Sequence, residues 1–107
     1  MTIEIVLEAQ LESKEKDAMK KYVIEREIPG VGAMSAQDLA AASAKSNEAL
    51  ARLGPTIQWQ HSYVAGDRTF CVYLADSEDD IRRHAEESGF PANRIIEVST
   101  MIDPTTA

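Results

Sequence analysis

The chain has 107 residues, 44% apolar and 27% charged, with a formal net charge of −7 at pH 7. That length suits one domain of roughly 100–200 residues, and the balanced composition excludes collagen-like, low-complexity and wholly disordered chains. No apolar run approaches the roughly 18–20 residues of a membrane span, Glu4 interrupts the hydrophobic start of any secretory signal, and a lone Cys71 excludes an intrachain disulfide framework. The acidity leaves no cationic surplus for nucleic-acid phosphates, so the expectation is a cytoplasmic protein that binds neither nucleic acid nor membrane.

Residues 1–19 read as an extension. Five acids and two lysines between Met1 and Asp17 give it a balance of −3. Ile3, Ile5 and Leu7 alternate as in a short strand, whereas a helix would set Glu4, Glu8 and Glu12 against one another at i,i+4. The predicted domain spans residues 20–102, and residues 103–107 form a tail.

Tyr22–Ile28 is rich in β-forming residues and stops at Pro29-Gly30, a turn signal. A helix is predicted next. Ser35 and Asp38 fit the S-x-x-D capping pattern, and Met34 and Leu39 occupy the positions of a hydrophobic staple. Leu39, Ala42, Ser46, Ala49, Leu50 and Leu53 repeat at helical spacing, and Gly54-Pro55 ends the run. Ile57–Val64 and Thr69–Ala75 are two β-type runs flanking Ala65-Gly66-Asp67-Arg68, which predicts a hairpin. Ser77 is placed to cap a second helix that carries Glu78, Asp79 and Asp80 in its first turn and closes at Gly89. Arg94–Ile102 reads as a last strand.

The order β-α-β-β-α-β predicts an α+β, ferredoxin-like sandwich, an antiparallel sheet with both helices on one face. The other face would then be open. Trp59, Tyr73 or Phe70 placed there would form a large apolar patch, which a second copy would cover, so a homodimer of the dimeric α+β barrel type is expected.

His61 and Cys71 lie on neighbouring strands of the hairpin, and imidazole with thiolate suits a borderline or soft metal. An even loop sets His61 opposite Val72 and leaves Cys71 on the other face. An odd loop, or a one-residue bulge, brings His61 and Cys71 together. Trp59 and Tyr63, at i±2 from His61, are expected to share its face and to line a pocket. Glu25 and Glu27 share one face of the first strand, while Arg26 joins Tyr22, Ile24 and Ile28 on the other. On an edge strand either set would stand in water; on a buried face it would line a site. His84, one turn beyond Asp80, is expected to form a surface ion pair with it. Gly30-Val31-Gly32 lacks the third glycine of a dinucleotide loop, and no P-loop, nucleophile elbow, EF-hand or zincin motif occurs.

Tyr22-Val23-Ile24-Glu25-Arg26 before Pro29-Gly30, then Gln58-Trp59, Ser62-Tyr63-Val64, Asp67, Phe70-Cys71-Val72-Tyr73, Gly89-Phe90-Pro91-Ala92 and Ile96-Glu97-Val98 carry a resemblance. Over about residues 20–100 the chain resembles a family of small bacterial domains of unknown function that includes a nickel-responsive, nickel-binding protein. The resemblance implies a dimeric ferredoxin-like fold and nickel, or another divalent transition metal, as ligand. His61, Cys71 and Glu25 are then the candidate donors. The alternatives are a small cofactor-independent oxygenase or isomerase, holding an organic molecule between sheet and helices, and a non-catalytic protein-interaction domain.

Overall fold

The computed structural model describes residues 19–107; the strand expected around Ile3–Leu7 lies outside them. The elements are β1 (Lys20–Glu27), α1 (Ala36–Leu53), β2 (Ile57–Ala65), β3 (Arg68–Ala75), α2 (Glu78–Ser88) and β4 (Arg94–Glu97). The strands form one four-stranded sheet in the order β2-β3-β1-β4. Every neighbouring pair is antiparallel. This is the ferredoxin-like α+β arrangement, with β1 and β3 central. β1 is therefore not an edge strand, and its charged side chains face neighbours on both sides.

Local chemistry sets the element ends. Ser35 Oγ accepts the Asp38 amide at 3.1 Å, satisfying one free donor at the start of α1. Ser77 departs from expectation. It makes no side-chain cap to the backbone, and its hydroxyl instead donates to Asp80 Oδ2 at 3.2 Å. Gly89 takes the left-handed φ of 77° that ends α2. The β2–β3 turn is Gly66-Asp67, with positive φ at Gly66 alone. β4 is shorter than the Arg94–Ile102 run predicted for it. Val98 still donates to the Lys21 carbonyl at 2.8 Å, one residue past the end of β4.

Alternation divides the sheet. Tyr22, Ile24, Cys71, Tyr73 and Ala75 turn toward the helices and form the core with Ile57 and Ile81, against which Leu50, Leu53, Trp59 and Ile95 pack. Ile24 and Ile81 are completely buried, each contributing roughly 2–3 kcal/mol of hydrophobic transfer. Val23, Phe70, Val72, Leu74 and Ile96 lie on the other face, which no helix among the described residues covers. An apolar open face is thus present, but its membership differs from expectation. Tyr73 is three residues from Phe70 and so points the opposite way. Trp59 leaves the open face because of the bulge described next.

Candidate functional site

The hairpin register separates the two residues expected to meet. His61 pairs with Val72 and Ser62 with Cys71, so the imidazole stands exposed on the open face while the thiol is buried beneath the helices. The irregularity in the ladder falls between Trp59 and His61, opposite consecutive residues Val72 and Tyr73. It inserts one residue, Gln60, and reverses the phase of β2. Trp59 therefore faces the helices, whereas His61 and Tyr63 remain together on the open face, their rings edge-on at 5.1 Å. The expected single face for Trp59, His61 and Tyr63 does not form.

Glu25 is also on the open face, yet it is engaged. Its carboxylate accepts from Arg68 Nη1 at 2.6 Å and has Arg94 Nη1 at 3.8 Å, and these two side chains cover it to 9% exposure. One chain thus leaves His61, Cys71 and Glu25 apart: one free imidazole, one thiol on the opposite face, one carboxylate neutralised by arginines. Among the described residues, no three His, Cys, Asp or Glu side chains cluster closely enough to hold a metal ion.

A cavity of about 140 Å³ opens between the sheet and α1. Apolar walls from Ile28, Val31, Leu39 and Phe90 meet Trp59, Cys71 and Tyr73 of the sheet. Trp59 borders this cavity, whereas Tyr63, 61% exposed, stands on the other face. The Trp59 indole N–H donates to Ser62 Oγ at 2.9 Å, and its ring stacks on Tyr73 at 6.5 Å between centroids. The Cys71 thiol lies 3.4 Å from Thr69 Oγ1.

Arg26 also lines this cavity, 2% exposed. Its Nη1 donates to the Pro91 carbonyl at 2.6 Å, and its guanidinium lies 5.9 Å from the centre of the Tyr73 ring. Nη2 is buried with no hydrogen-bond partner among the described residues. Arg26's three apolar companions at i±2 and i−4 already signalled that it points inward. Its isolation from every carboxylate among the described residues could not be read locally.

His84 overturns its expectation more fully. It is wholly buried, and Asp80 pairs instead with Arg83, Thr56 and Ser77. Ser46 Oγ lies 3.1 Å from His84 Nε2, linking α1 to α2, and Tyr73 packs on the imidazole at 5.2 Å. Burial, and then the charge of Arg26, lower this imidazole from 6.5 to about 4, so it is neutral. Burial likewise raises the Tyr73 phenol above its ordinary value. The missed signal was the spacing of Ile81, His84 and Ser88, one stripe of α2 turned to the core.

A family model described as nickel responsive protein SCO4226-like matches residues 22–98, more than half of the chain. Among solved structures, the crystal structure of SCO4226 from Streptomyces coelicolor A3(2) superposes with a TM-score of 0.63 at 16% identity, covering 77% of this chain and 99% of that one. At that identity the likeness shows the fold. No curated protein matches the chain. No helix among the described residues is long and apolar enough to cross a membrane.

Proposed function

Because the chain belongs to the nickel responsive protein SCO4226-like family, we propose that it binds nickel, or a divalent metal of similar donor preference, as a homodimer joined through its open sheet faces. The family match over residues 22–98 carries the link to nickel. His61 is the donor within this chain: an exposed imidazole on the uncovered face, with no carboxylate or thiol among the described residues competing for it. One imidazole does not hold nickel. A two-fold dimer brings a second His61 to the same interface, since an isologous contact presents each residue twice. The half-buried apolar residues Phe70, Val72 and Leu74 beside His61 support that face as the one a second copy covers.

Equilibrium dialysis against nickel chloride tests this. The wild type binds saturably and His61→Ala loses about tenfold or more in affinity, on the scale of one lost charge-assisted or coordinate contact. Binding unchanged in His61→Ala removes the histidine from the site; no saturable binding by the wild type overturns the nickel reading.

The helix-side cavity favours a second reading, a small organic ligand held as in cofactor-independent oxygenases or isomerases. The bases considered for that chemistry, His61, Glu25 and Tyr63, stand on the other face. What the cavity offers is a guanidinium, a phenol and a thiol.

A further inference from the structure

We propose that the cavity between the sheet and α1 binds a small organic carboxylate, its head on the guanidinium of Arg26 and its apolar body against the walls beneath α1.

The electrostatics start from a buried cation. Arginine stays protonated in proteins, so Arg26 carries its charge at 2% exposure. Buried charges are ordinarily paired, because several kcal/mol of hydration are lost otherwise. Here no carboxylate among the described residues lies within ion-pairing distance, and the groups it meets are the Pro91 carbonyl and the ring and phenol of Tyr73. Neither brings a negative charge. The adjacent groups do not supply one either: burial holds the Tyr73 phenol protonated, and the imidazole of His84 is neutral. Nη2 keeps a donor unused among the described residues.

The cavity defines the rest of the ligand. At about 140 Å³ it is close to the roughly 150 Å³ apolar cavity known to take benzene, so a body of about six heavy atoms fits. Its walls at Ile28, Val31, Leu39 and Phe90 reward apolar surface, which inorganic phosphate lacks. A planar carboxylate matches the guanidinium fork. A divalent cation is repelled by it, so this site is separate from the one proposed for nickel on the opposite face.

Trp59 is the single tryptophan and borders the cavity, so its emission reports occupancy directly. Wild type is titrated with benzoate, hexanoate, benzyl alcohol and inorganic phosphate, and Arg26→Gln with benzoate and benzyl alcohol. At least one carboxylate shifts Trp59 emission saturably, and benzyl alcohol and phosphate bind about tenfold more weakly or worse, the scale of a charged hydrogen bond. Arg26→Gln brings benzoate to the level of benzyl alcohol and leaves benzyl alcohol unchanged. If Arg26→Gln fails to fold, the wild-type ratio of benzoate to benzyl alcohol decides. Equal affinity for these two overturns the role of the charge. Phosphate equal to the carboxylates overturns the apolar body, and no saturable binding by either carboxylate overturns the site.

Discussion

Ser46 on α1 and His84 on α2 meet at 3.1 Å in the interior, the one side-chain hydrogen bond joining the two helices there among the described residues. Both residues are buried, and the imidazole leaves Nδ1 without a partner. Protonating His84 would put a cation beside Arg26 with no carboxylate at hand among the described residues. An unfolded chain takes up that proton near pH 6.5, whereas the folded chain resists until about pH 4. Stability from His84 is therefore complete above pH 6.5 and declines as the pH falls, by roughly 3 kcal/mol at pH 4. Urea unfolding of wild type and His84→Gln between pH 7 and 4.5 checks this. The difference between their stabilities shrinks steadily on acidification; a constant difference contradicts it.

Glu25 and Arg68 differ in what each leaves behind. Glu25→Gln removes the buried charge and releases two arginines already more than half exposed, so it costs about 1 kcal/mol. Arg68→Ala strands the covered carboxylate with Arg94 alone at 3.8 Å, at a cost of about 2–3 kcal/mol. Chemical denaturation of the two variants ranks them, and Glu25→Gln as the more damaging would refute the account.

Gly32 is demanded by a close approach. Its amide donates to the Gly66 carbonyl at 2.8 Å, and a Cβ at Gly32 would lie 2.5 Å from that same oxygen. The loop after β1 is clamped there to the β2–β3 turn, with Asp67 Oδ1 accepting the Gly30 amide at 2.9 Å. Gly32→Ala forces the two backbones apart, costing about 2 kcal/mol or more. A thermal melt of Gly32→Ala coinciding with the wild type would show that the loop yields freely.

The open face offers a further check on the proposed dimer. Val72 sits opposite His61 on that face, so Val72→Glu gives a folded monomer by light scattering, with nickel affinity reduced. Cys71→Ser leaves nickel binding unchanged, because the thiol faces the helices. A dimer that persists in Val72→Glu, or nickel lost in Cys71→Ser, contradicts this placement.

Much of the fold was legible in the chain itself. Ser35 with Asp38, Gly54, Gly66 and Gly89 mark element ends through interactions within a few residues, and strand alternation already set Arg26 apart from Glu25 and Glu27. Element order and the open sheet face followed from these local signals. What they could not supply was anything decided by a partner distant in the chain. The bulge at Gln60, which parts Trp59 from His61, exists only against the ladder of β3. His84 is buried because α2 packs its stripe toward Ser46, 38 residues away. Arg26 is enclosed because the Pro91 carbonyl, 65 residues on, receives one of its nitrogens, and no carboxylate among the described residues receives the other. The count of −7 with which the chain presents itself gave no hint of a buried cation without a counter-charge among the described residues; composition sums charges, and only tertiary packing decides which of them keep their water.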